Sequence, residues 1–188
     1  ITFWIENTTP YELRPIIKNA VLAWNIAFEE AGFIDAIEVK IQPDDADWSA
    51  GDIRYNVLRW TSSPNPPFGG YGPSFTNPRT GEILGADIML EWIYLTNRVR
   101  YSEIFENQEI RENDFCHNSL IKQENRIFGK LATEALDLNE NEISRLYEED
   151  LYQLILHEVG HTLGLNHNFA ASTLHNNSDV HNPEITYK

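Results

Sequence analysis

The chain has 188 residues, enough for one domain with a real core or two small subdomains packed around a cleft. Its composition, 41% hydrophobic and 23% charged, is that of a folded globular protein and excludes a disordered one. A formal charge of -15, from 29 acidic against 14 basic residues, repels phosphate backbones and argues against nucleic acid as a partner.

The first stretch, ITFWIE (1–6), alternates bulky and polar residues and reads as a strand. After it, Thr9 is the expected N-cap of a helix over 11–31, with Pro10 at its first position. Ile16, Ile17, Ala20, Val21, Trp24, Ala27 and Phe28 recur there at helical spacing, and Gly32 ends the element. Pro15 can delay the regular part. AIEVKI (36–41) and GDIRYNVLRW (51–60) read as the second and third strands. Residues 61–82 are rich in Pro, Gly, Ser and Asn and are expected to form one long loop, before EILGADIML (82–90) as a fourth strand.

The pattern over 93–113 is weakly helical, and 119–136 holds a further expected helix. The strongest helix runs from about Glu140 to about Leu163, with Leu151, Leu154, Ile155 and Val159 among its apolar positions. The tail from 166 is polar, and no regular element is expected in it. Strands separated by helices predict an α/β (α+β) architecture: a twisted mixed sheet of four or five strands, with an antiparallel edge, packed on two main helices. No run of apolar residues is long enough to span a membrane. The lone Cys116 cannot form an internal disulfide, and neither it nor the adjacent His117 is assigned a site. The sequence opens at Ile1 in a strand-like stretch, as expected for an excised domain or a mature product.

The long helix ends in HEVGHTLGLNH, residues 157–167. Positions i and i+4 lie one above the other on a helix, so His157 and His161 can share one metal ion. Glu158, rotated by about 100° from His157, is free to act as a general base instead of a ligand. Gly164 permits a left-handed turn that stops the helix and returns His167 as the third ligand. Three neutral imidazoles leave one position of a Zn2+ ion open, which is the catalytic arrangement and not the closed structural one. His175 and His181 lie in the polar tail and read as surface residues, with an approach to the metal in a latent form as the other option.

This stretch matches the metzincin pattern HExxHxxGxxH. The resemblance extends to a bacterial family of zinc-dependent metalloproteases carrying the DUF5117 and DUF4953 domains, through AWNIAFEEAGFIDAIEVK (23–40), DDADWSAGDIRYNVLRW (44–60), GPSFTNPRTGEILGADI (72–88) and HEVGHTLGLNHNFAAS (157–172). It implies a metzincin-like zincin fold and a zinc endopeptidase acting on extended polypeptides. One catalytic zinc would sit on His157, His161 and His167, with Glu158 as catalytic glutamate and Gly164 at the turn. It further implies that the strand from Gly85 to Leu90 is the upper edge of the cleft, so that Gly85, Ala86, Asp87 and Ile88 would bind substrate through main-chain hydrogen bonds. It points to an extracellular or cell-envelope location. Residues 1–167 are then the N-terminal catalytic subdomain, and 168–188 open a C-terminal subdomain that is short or truncated. Metzincins carry a methionine in a turn downstream of the third histidine, whereas the single methionine here, Met89, lies upstream. The competing reading is a non-catalytic or latent zinc-containing binding domain, against which the intact Glu158 argues.

Overall fold

The computed structural model of the chain describes residues 1–63, 70–91, 140–168, 170, 173–180 and 182–186. The helices expected over 93–113 and 119–136, together with Cys116, His117 and His181, lie outside the described residues.

The chain begins with β1 (Thr2–Ile5) and continues into α1 (Arg14–Leu22) and α2 (Trp24–Glu30). The expected single helix is thus two, broken at Ala23, and its regular part starts four residues beyond Pro10. Pro15 sits in the first turn of α1, where a missing N–H is harmless. Thr9 does not cap the helix. It is buried, and its carbonyl accepts from Arg14 Nε at 2.9 Å. β2 (Glu38–Ile41) and β3 (Asn56–Thr61) follow. β4 (Gly70–Tyr71) and β5 (Ser74–Thr76) occupy the segment expected to be loop throughout, and β6 (Ile83–Glu91) comes next. α3 (Glu140–Thr162) carries the histidine motif, and a single turn, α4 (Pro183–Thr186), lies in the tail. None of the helices among the described residues is long and apolar enough to cross a membrane.

The sheet order is β2-β1-β3-β6-β4, with β5 also paired to β6. β2, β1, β3 and β6 run parallel, while β4 and β5 are antiparallel to β6. This is the mixed α/β arrangement expected of a metzincin-like zincin fold. One sheet face carries Phe3, Ile5, Leu58, Ile88 and Leu90, which are buried against Ile17, Ala20 and Val21 of α1 and Leu151, Leu154, Ile155 and Val159 of α3. Alternate strand residues and the i, i+3, i+4, i+8 row of α3 meet there, as the two periods require. On the opposite face Trp48 stacks on Tyr55 at 3.8 Å, and Trp4 meets both edge-on.

Two asparagines pin elements that apolar packing alone would leave free to slide. Asn25 clamps the Ile37 main chain through both its amide atoms, at 2.8 and 2.9 Å, and so ties α2 to the start of β2. Asn56, at the start of central β3, donates to the Thr2 carbonyl of β1 at 2.9 Å and accepts from the Ala86 N–H of β6 at 3.0 Å. It therefore fixes the register of both flanking strands. Replacing Asn56 with Ala should leave the Ala86 N–H and the Thr2 carbonyl unsatisfied and lower unfolding free energy by about 1–3 kcal/mol, read by urea denaturation. A change within a few tenths would show that the clamp is idle.

Candidate metal centre

α3 reaches the site because its apolar row is seated on the sheet and its motif turn is gripped from behind. Trp24 Nε1 donates to the Leu156 carbonyl at 3.0 Å, and a Cβ at Gly160 would lie 2.9 Å from the Trp24 ring. The indole thus rests on the helix one residue before His157.

The helix then stops in a Schellman turn. Leu165 N donates to the Gly160 carbonyl at 3.0 Å, Gly164 N donates to the His161 carbonyl at 3.0 Å, and Gly164 has φ +94°. Only glycine adopts that backbone without penalty. The reversal has two results in the site. It carries the Leu165 carbonyl to 2.8 Å from His161 Nδ1, and it brings His167 back over the helix.

The Nε2 atoms of His161 and His167 lie 3.0 and 3.2 Å from His157 Nε2. Potential ligand atoms of all three residues fall within 4.8 Å of one another, and no other such cluster of His, Cys, Asp and Glu occurs among the described residues. The donor set fits a zinc ion on two counts. Nitrogens held at about 2.05 Å on a tetrahedral centre are roughly 3.3 Å apart, close to the spacings seen here. A carbonyl only accepts, so His161 must carry its proton on Nδ1, which turns the Nε2 lone pair of the neutral ring toward the cluster.

Glu158 follows His157 on the helix and is buried. The outer strand segment passes directly above it: a Cβ at Gly72 would lie 3.2 Å from Glu158 Cβ. His175 is half-buried in the tail and is not part of the cluster.

Gly85, Ala86, Asp87 and Ile88 do not form a sheet edge. β6 is paired along both sides: Gly85 and Ala86 face Phe75 and Ser74 of β5, while Asp87 and Ile88 face Val57 and Leu58 of β3. Their main-chain groups serve the sheet, and Ile88 is fully buried in the core. The outer edge is instead the segment from Gly70 to Thr76, which no strand among the described residues covers. Sequence reasoning missed it because Pro73 and three nearby glycines read as loop. The cue that was available is that GYGPSFT immediately precedes the NPRTG turn before β6, as the first arm of a hairpin does.

Residues 139–188 match a protein-family profile described as Met-zincin. The match supports the metzincin type of zinc metalloprotease. It spans the whole of HEVGHTLGLNH and the tail, and zinc is the metal that the family implies. The chain matches no curated protein and no solved structure.

Asp87 has another part to play. It lies on the sheet face opposite the helices, 3.5 Å from Arg59, and neither Asp87 Oδ1 nor Arg59 Nε finds a hydrogen-bond partner among the described residues. Burial pushes its carboxyl above the usual aspartate range, and Arg59 pulls it only part of the way back. A carboxyl raised on folding holds its proton more tightly in the native state. Stability is therefore lost as pH rises from the unfolded value of about 3.9 through the native one. Asp87→Asn removes that loss. The unfolding free energy of the variant relative to wild type should climb across this acidic window, measured by denaturant titration at successive pH values. A difference that stays flat with pH would rule out a raised carboxyl at Asp87.

Proposed function

We propose that the chain is a zinc-dependent endopeptidase acting on extended polypeptides, with His157, His161 and His167 as the metal ligands and Glu158 as general base. The observation that carries this reading is the convergence of three imidazole nitrogens on the helix that also carries buried Glu158, with the Gly70–Thr76 segment, which no strand among the described residues covers, passing above Glu158. A structural zinc site has four protein ligands and no use for a neighbouring base.

A zinc ion held by His157, His161 and His167 would supply a Lewis acid that makes water easier to deprotonate near neutral pH. The protein does the rest. The Glu158 carboxylate accepts a proton from the attacking water and delivers it to the leaving amine. Burial shields that carboxylate from bulk solvent, which would otherwise compete for the proton. His161, oriented by the Leu165 carbonyl, keeps its lone pair on the metal side throughout. The edge from Gly70 to Thr76 offers main-chain groups to a substrate in extended form, so backbone is recognised before side chain. This edge takes the role expected of Gly85, Ala86, Asp87 and Ile88. An extracellular or envelope setting suits such an enzyme.

The test is cleavage of denatured casein by the zinc-loaded chain, with Glu158→Gln alongside. Turnover should fall by about 10²–10⁴-fold in the variant while one zinc per chain is retained. Removing zinc with a chelator should silence the wild type reversibly. Equal cleavage by Glu158→Gln would sink the general-base role, and zinc binding without any cleavage by the wild type would favour a non-catalytic zinc domain.

A further inference from the structure

The outer strand segment crosses the motif helix with no side chain between the two backbones. Gly70 and Gly72 are two residues apart and so share the sheet face turned to the helix. What a side chain would meet differs at the two positions. At Gly70 a Cβ would come within 3.0 Å of Leu154 Cδ1, the far end of a flexible side chain. At Gly72 it would come within 2.6 Å of the Glu158 carbonyl oxygen and 3.1 Å of its carbonyl carbon.

That carbonyl belongs to the body of a packed helix and cannot turn aside. The segment itself is tied laterally to β6, with Tyr71 opposite Met89, Ser74 opposite Ala86, and Asp87 N donating to the Pro73 carbonyl at 3.3 Å. Restoring an ordinary contact at Gly72 would require the strand to rise by about 0.8 Å.

We propose that Gly72 is a positioning residue for peptide-bond cleavage: its bare backbone sets the height of the Gly70–Thr76 edge above Glu158. A polypeptide paired to that edge inherits this height, which decides how far its scissile bond lies from the Glu158 carboxylate. The inference rests on the peptidase reading above. It concerns the turnover step more than binding, because an edge displaced as a unit still pairs with substrate but delivers the bond to the wrong place. A misplacement of about 1 Å is enough to lower rate by about 10²-fold.

The experiment compares Gly72→Ala with Gly51→Ala, whose Cβ would meet nothing within 4 Å. Four quantities are read on the full chain: kcat and KM on a peptide substrate, zinc content, and amide hydrogen exchange. Gly72→Ala should keep one zinc per chain and a KM within about threefold of wild type, while kcat falls by about 10–100-fold. Exchange in the β4–β6 ladder should quicken by at least about tenfold with the β1–β3 ladder unchanged. Gly51→Ala should match the wild type throughout. A wild-type kcat in Gly72→Ala, or a defect confined to KM or to thermal stability, overturns the proposal. A wild type inert on every peptide instead refutes the peptidase reading, and unchanged β4–β6 exchange then refutes the role of Gly72 independently. Should Gly72→Ala fail to fold, Gly70→Ala takes its place. Leu154 can absorb part of that intrusion, so a kcat loss of about 3–10-fold is expected, and an unaltered kcat beside a loosened ladder overturns the proposal.

Discussion

The candidate metal centre depends on one backbone conformation, the left-handed turn at Gly164. Before it, the helix presents His157 and His161 four residues apart on one face. After it, the chain runs back over the same face and supplies both His167 and the Leu165 carbonyl that orients His161. A residue with a Cβ at this point faces the steric cost of φ +94°, while the space itself is open to it: the nearest atom, Ile83 Cδ1, would lie in ordinary contact at 3.4 Å. The turn thus lies beside the first residue of β6.

The scaffold beneath that turn is built from two kinds of contact. Apolar residues of α1 and α3 on one sheet face supply adhesion without direction. Direction comes from polar side chains that grip backbone: Trp24 on Leu156, Asn25 on Ile37, and Asn56 between β1 and β6. Glu91 does the same at the end of β6, accepting from Thr61 Oγ1 at 2.7 Å and from Ser63 N and Oγ at 3.0 and 2.8 Å. Each of these groups is wholly or partly buried and joins elements distant in sequence, which is where a hydrogen bond discriminates best between alternative packings.

How much of this could be read beforehand follows from which forces are local. The outer limits of β1, β2, β6 and α3 were legible because apolar residues recur at period 2 or 3.6 in these segments, and the histidine cluster was legible because its spacing is itself the helix repeat followed by a glycine. The break at Ala23 was hidden, since every residue around it is compatible with helix and the apolar row continues across it. β4 and β5 were hidden for a different reason. Their strand character comes from hydrogen bonds to β6 and from glycines that fit against α3, and neither leaves an apolar alternation in GYGPSFT. The edge that the family resemblance implies at Gly85–Leu90 therefore lies one strand too far inward. Thr9 and Pro10 carried a genuine capping signal, but the turn they begin is not yet helical, and Pro15 marks the true start.

The closeness in sequence of the three imidazoles bears on how metal and fold are linked. All three lie between His157 and His167, within a single helical turn and the reversal after it, while the core that supports them draws on strands from the other end of the chain. With these three as zinc ligands, the unfolded polypeptide would keep the means to chelate the ion locally. Zinc would then stabilise the native state only by the ratio of the affinities of the two states, so tight binding would not translate in full into resistance to unfolding. The same local chelate has a kinetic side: an ion captured early would hold His157 and His161 at helical spacing and offset part of the nucleation penalty of α3 before its sheet partner has formed.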